Sequence, residues 1–183
     1  MNKLKALMAN DALNHWIVVD AIRVPDIEEQ IYLHESTSEA FKLYDESPLQ
    51  EFREQSPVIF QYFGAEGISE QLFNDFAFRT SSVMFSANVE VEPYRIFKHL
   101  QSLMVVNIDS KKTLLRFYSS KFWNSSIGKM AQSDIDTLLG PCQYIGWVNE
   151  DKELKVYQGK EVDEPNSNDE ILNLNSSYFL ELI

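Results

Sequence analysis

The stretch from residue 93 to 118 constrains this chain more than any other, because a helix pattern there runs without a break into a hairpin pattern. Pro93 suits the first helical turn, where its missing N–H has no partner to lose. Ile96, Phe97, Leu100, Leu103 and Met104 recur at helical spacing and define one apolar face, with Lys98, Gln101 and Ser102 largely on the other. Residues 105–108 are short and β-branched, 109–112 read as a polar turn, and 113–118 are a second run of strand formers. The pattern predicts a helix covering one face of the sheet to which the hairpin belongs. Arg116 is the odd residue. A guanidinium between Leu115 and Phe117, in or beside a core strand, needs a fixed partner.

A second constraint is the run 16–19, apolar throughout and mostly β-branched, which predicts a central strand buried on both faces. Asp20 follows at its end, the place where sites lie in open α/β sheets. The same position also suits a turn cap or a pair with a local arginine such as Arg23. Residues 1–14 predict a short amphipathic arm or helix. A helix starts at Asp26, with Glu28 and Glu29 in its first turn and Ile27 and Ile31 buried. Strands are expected over 40–44, 56–60 and 81–88, a polar turn over 49–54, a loop at 64–67 and one helix over 68–78. Beyond Tyr118 come two short helices, 122–130 and 133–139. Ser133 is the expected N-cap of the second, with Asp134 and Asp136 in its first turn, and Gly140 and Pro141 end it. A strand over 142–148 and a hairpin partner over 153–157 follow. The fold class is therefore α/β, a mixed β-sheet flanked by helices with a small C-terminal helical and hairpin subdomain. The expected division is a body at 1–118, a lobe at 119–158, an acidic linker at 159–170, and an apolar segment at 171–183 that folds back onto the body or onto a partner.

The search for chemistry returns little. The three histidines, His15, His34 and His99, show no metal-ligand spacing, and the lone Cys142 has no cysteine partner, so neither a structural metal nor a cofactor is expected. No phosphate-binding loop, dinucleotide fingerprint or nucleophile elbow is present. Glu28, Glu29, Asp134 and Asp136 are accounted for by helix starts. His99 reads as a core or boundary histidine or as an interaction residue, and Cys142 as a buried thiol. A net charge of −12 argues against nucleic acid, whose binding rests on cations, and suits solubility or a basic partner. No stretch reaches the roughly 20 apolar residues of a membrane span, and the first ten residues lack a secretory pattern. With a single cysteine, these features lead to an expected cytoplasmic location. An enzyme reading has no constellation behind it.

The order of the motifs says more than any one of them. Trp16 to Ala21 is followed by Leu43 and Tyr44, by Ser56 to Ile59, and by an aromatic helix end before Ser81 and Ser82. Then come Ile96 to Leu100 with Leu103 and Val106, Leu115 to Tyr118, and Leu139 to Pro141. This series resembles, from about Trp16 to about Asp151, the family catalogued as domain of unknown function 4123, the adaptor chaperones of bacterial type VI secretion. The chain departs from the family pattern at Val58, at residues 76–78 and at Ser119 and Ser120. The resemblance implies a non-catalytic adaptor that binds a cognate effector in the producing cell and loads it onto a spike protein of the VgrG type. Asp20, His99, Arg116 and Tyr118 would hold the helix–hairpin unit together, with Asp20 the partner of Arg116. Phe122, Trp123, Ile127 and Met130 are the expected effector-facing surface, packing on the sheet being the alternative for that segment. Two other readings stay open: a hydrolase or transferase assembled from Asp20, His99 and Cys142, and an acidic, toxin-binding immunity protein.

Overall fold

The computed structural model describes residues 2–35, 39–159 and 171–182. Strand β1 (Leu13–Val19) lies inside a six-stranded sheet, between β3 (Val58–Gln61) and β4 (Ser82–Asn88). Outside these run β2 (Ala40–Lys42) on one side, then β7 (Tyr144–Val148) and β8 (Leu154–Gln158) on the other, in the order β2-β3-β1-β4-β7-β8. Every pairing in this sheet is antiparallel. Successive side chains of a strand point to opposite faces, and here both faces are covered. Trp16 and Val18 enter one core, while Ile17 and Val19 enter a second. Ile17, Val18 and Val19 have no exposed surface. Each such aliphatic contributes roughly 1.5–3 kcal/mol by leaving water, which is why the run lies where two cores meet.

The second core is closed by four helices, α1 (Asn2–Met8), α2 (Ile27–His34), α3 (Glu66–Asn74) and α4 (Phe76–Thr80). They contribute Leu4, Ile27, Ile31, Ile68, Leu72 and Phe78. The single helix expected over 68–78 is two helices, and the first begins inside the expected loop. Asp75 adopts an extended conformation and its Oδ1 accepts from the Phe78 N–H at 2.7 Å, so it caps α4 and ends the continuity.

The first core lies under α5 (Pro93–Ser102), whose Ile96 and Leu100 are fully buried as its spacing requires. Strands β5 (Val105–Ile108) and β6 (Lys111–Leu114) follow as a hairpin. The hairpin does not join the large sheet. It forms a second sheet, in the order β6-β5-β9, with β9 (Asn173–Leu174) parallel to β5. Helix α5 therefore shares one core with both sheets: Ile96 and Leu100 pack with Val106 and Ile108 of the hairpin and with Trp16, Val18 and Phe85 of the large sheet. The turn is also tighter than expected. Asp109 and Ser110 both take left-handed conformations (φ 49° and 62°), giving a two-residue loop. That ends β6 at Leu114, so Arg116 lies just beyond the strand, not within it.

Helices α6 (Ser120–Ser126) and α7 (Gln132–Leu139) complete the covering layer. Ser133 is not the cap of α7; Ala131, two residues earlier, occupies that position. Asp134 is buried and bonds elsewhere, as described below. Gly140 ends the helix at φ 54°, a conformation that favours glycine, and a methyl group there would run into the His99 ring. The α/β class with flanking helices holds. The larger sheet is wholly antiparallel, and mixed pairing occurs only in the smaller one. The expected acidic linker lies, from residue 160 onward, outside the described residues. Leu174, Tyr178 and Phe179 are buried in the first core, so residues 171–180 fold back onto the body. No helix among the described residues is long and apolar enough to cross a membrane.

Candidate functional site

Where β1 ends, the chain turns sharply at Asp20. Its backbone carbonyl accepts from the N–H groups of Arg23 and Val24, and its own N–H donates to Ser81 at the start of the neighbouring strand. Asp20 is buried, and its carboxylate divides its two oxygens between partners. Oδ1 accepts from the Ile22 N–H at 3.0 Å, and Oδ2 accepts from Arg116 Nη2 at 2.5 Å. Asp20 is thus the partner of Arg116, and the contact ties the central strand to the segment after β6. The pair is lopsided, with the Asp20 side chain 4% exposed and that of Arg116 60% exposed. The guanidinium lies 5.9 Å from the centroid of the Tyr118 ring, a cation–π distance. Burial pushes the Tyr118 hydroxyl up to about 12, with Tyr44 and Asp20 adding to the shift and Arg116 opposing it. Tyr44 is raised by burial as well. Both phenols therefore stay protonated at neutral pH. The Asp20→Asn variant is expected to lose about 1–2 kcal/mol, because a charged acceptor becomes neutral while the turn bond to Ile22 persists. Urea unfolding with an unchanged m-value would read this, and an unchanged midpoint would deny the pair any structural weight.

Beside this cluster an open groove of about 430 Å³ runs between the segment 44–55 and the hairpin. Tyr44, Leu49 and Phe52 form one wall, and Val105, Lys112 and Leu114 the other. Phe52 and Leu114 are each about half exposed on its rims, at 53% and 51%. The sequence reading treats 49–54 as a polar turn and misses this wall. The available signal was the pair Leu49 and Phe52, three residues apart, which a 3-10 turn (Gln50–Gln55) sets facing the hairpin.

His99 and Cys142 do not belong to this site. His99 Nε2 bonds the Leu138 carbonyl at 3.1 Å. The residue is half-buried, yet its ring is enclosed against Leu138 and Gly140. Burial lowers its pKa to about 4, with Arg95 adding to the shift and the Leu138 carbonyl opposing it. Burial pushes the Cys142 thiol up to about 12. His15 is buried too, bonded through Nδ1 to Ser86 Oγ at 2.8 Å, and its pKa is lowered. The unfolded chain protonates these imidazoles near pH 6.5, whereas the native chain resists down to about 4 at His99. Stability is therefore full above about pH 6.5 and falls as pH drops through that window, by about 3 kcal/mol for His99. Urea midpoints at pH 7 and pH 4.5 should differ accordingly, and His99→Gln should flatten the difference.

The four residues expected to face a partner are packed instead on the sheet. Phe122, Trp123 and Met130 are buried and Ile127 is half-buried in the first core. Trp123 stacks on Trp147 at 6.1 Å and donates to the Phe117 carbonyl at 2.6 Å, while Phe179 stacks on Phe122 at 6.4 Å. Their helical spacing marks an apolar face correctly, but the C-terminal segment and β7 fill it.

With its two cores, its Asp20–Arg116 fastening and its open, largely apolar groove, the chain is a helix-flanked α/β protein. A model of the family described as Domain of unknown function (DUF4123) matches residues 15–133, and the chain belongs to that family. The match spans β1 through the start of α7 and so includes Asp20, Arg116 and the groove. No curated protein matches the chain, and no solved structure does.

Proposed function

We propose that this chain is a non-catalytic adaptor of type VI secretion, which binds a cognate effector in the cytoplasm and delivers it to a spike protein of the VgrG type. The observation that carries the reading is the fate of the polar groups a distributed active site would need. Asp20 is committed to Arg116, the His99 ring to the Leu138 carbonyl, and the Cys142 thiol is sealed in the core. No hydrogen bond joins any two of the three among the described residues. What remains accessible is an apolar groove with half-exposed rims, a surface suited to holding protein and releasing it. A net charge of −12 makes nucleic acid an unfavourable partner.

The test is a capture experiment with the chain as bait, in cells expressing the proteins encoded on either side of its gene. The adaptor reading expects the neighbouring effector in the captured fraction, whether or not the secretion machinery is functional. It also expects that deleting the gene stops that effector, and no other, from reaching the spike. Self-intoxication of the deletion strain would instead mark an immunity protein. Capture of neither neighbour would return the field to a distributed-site enzyme.

A further inference from the structure

The large sheet has two outer strands, β2 and β8, and they are guarded unequally. β2 is three residues long, and its Lys42 is held by Glu28 and Glu54 at 3.5 and 3.7 Å. Short edges and charged side chains both discourage further pairing. β8 is five residues long and lacks such guards. It contains no proline, and no residue from Glu153 to Gln158 takes a positive φ. Its one charge, Lys155, is neutralised by Glu153 at 2.6 Å. Among the described residues nothing pairs with its outer side.

The ladder to β7 fixes which backbone groups face outward. The Asn149 N–H donates to the Glu153 carbonyl at 3.0 Å, and the Gly159 N–H to the Gln143 carbonyl at 2.8 Å. With Lys155 opposite Trp147 and Tyr157 opposite Ile145, alternation turns the N–H and C=O groups of 153, 155, 157 and 159 toward β7. Those of Leu154, Val156 and Gln158 therefore point to the open edge. These three residues are symmetric about Val156. A second β8 laid antiparallel sets Val156 against Val156 and Leu154 against Gln158, and each opposed pair exchanges two hydrogen bonds. A shift of one residue would set outward groups against inward ones. A shift of two would leave one outward residue of each strand beyond the other.

The side chains that this register opposes also agree. Val156, 39% exposed, meets its own counterpart, and both leave water. Lys155 of one copy opposes Tyr157 of the other, an ammonium beside a ring already steadied by its bond to Gln132 Oε1 at 3.0 Å. Leu154 opposes Gln158, and Glu153 opposes Gly159. No like charges are set directly opposite, which matters in a chain of net charge −12.

We propose that β8 is a self-association edge, at which a second copy of this chain adds its own β8 antiparallel about a twofold axis at Val156 and joins the two large sheets into one. The interface is isologous, the same strand serving on both copies. It uses no residue of the groove, and the inference is independent of the adaptor reading.

Sedimentation of the full chain tests it. The mean mass should rise from one chain toward two with concentration, and added sodium chloride should favour the dimer by screening the repulsion of two anionic copies. Val156→Pro removes an outward N–H without touching the ladder to β7, and should hold the chain monomeric. Should that variant fail to fold, Val156→Glu decides, because it sets like charges opposite each other on the axis and should weaken association about tenfold. The register has its own readout. Val156→Cys, oxidised with diamide, should give a disulfide-linked dimer, since opposed Cα atoms about 5.5 Å apart lie within disulfide reach. Lys155→Cys should give far less, because residue 155 faces Tyr157 and not itself; the native Cys142 is buried. A chain monomeric at every concentration, a dimer indifferent to Val156→Glu, or cross-linking at 155 in preference to 156 would each overturn the proposal. None of these outcomes alters what effector capture says of the adaptor reading.

Discussion

Replacing Trp123 with alanine is expected to lower stability by about 4–5 kcal/mol, the largest loss from any single side chain of the covering layer. Three effects add. The indole is fully buried, so its removal leaves a cavity between α6 and the large sheet. Its ring packs against Trp147, Phe85 and Phe122, at centroid distances of 6.1, 6.3 and 5.3 Å. Its N–H satisfies the Phe117 carbonyl in the segment that carries Arg116, and the variant strands that acceptor. Against a total stability of about 5–15 kcal/mol for a chain of this kind, such a loss brings the protein close to unfolding. Trp123→Phe keeps most of the volume and should cost only about 1–2 kcal/mol. Urea unfolding followed by circular dichroism separates the two. An unfolding free energy for Trp123→Ala within about 1 kcal/mol of the parent would contradict the burial described above. The experiment also bears on partner binding, since a Trp123→Ala variant that no longer captures an effector would be reporting lost structure, not a lost interface.

The second large effect belongs to Asp134. This carboxylate is 1% exposed and accepts from the backbone N–H groups of Asn175 and Ser176 at 3.1 and 2.6 Å, and from the Ser176 hydroxyl. The Ser176 hydroxyl oxygen in turn accepts from the Ala131 N–H at 2.8 Å. One side chain thus fastens the start of α7 to the returning C-terminal segment. Asp134→Ala removes the acceptor shared by the Asn175 and Ser176 N–H groups and the Ser176 hydroxyl, and is expected to cost about 2–3 kcal/mol. The loss should be local before it is global. Hydrogen exchange at the amides of residues 172–179 should accelerate more than exchange in β1, whereas Asp134→Asn, which keeps an acceptor, should fall between. Uniform acceleration across β1 and the C-terminal segment would show that the segment is not a separate unit of opening.

The Asp134 case also shows where sequence reading stops. An aspartate in the first turn of a helix has a sufficient local explanation in the helix dipole. Nothing in the local pattern reveals that the true demand comes from two N–H groups forty residues away. The same limit hid the smaller sheet. The helical face of residues 93–104 and the hairpin pattern after it were plain, because both arise from periodicity. That the hairpin would leave the large sheet and pair with Asn173 and Leu174 was not, because two residues carry no strand period. By contrast, the pairing of Asp20 with Arg116 could be read in advance. A guanidinium next to an apolar run requires an anion, and the family resemblance pointed to the carboxylate at the end of the central strand. The groove escaped for a third reason. Its walls come from a 3-10 turn and a hairpin distant in sequence, so neither shows an apolar stripe of its own.

The parallel pairing of β9 with β5 has a consequence for synthesis. Asn107 and Asn173 are bonded side chain to side chain across 66 positions. Translation proceeds from the N-terminus, so the hairpin and α6 leave the ribosome well before the strand that completes their sheet. During that interval Phe122 lacks Phe179, Ser125 lacks the Tyr178 hydroxyl, and the β9 side of β5 is unpaired. The nascent chain therefore presents an adhesive surface that vanishes only when residues 173–179 emerge and dock. Cellular quality control would meet an interrupted product as an exposed aromatic patch, and the finished one as a closed surface.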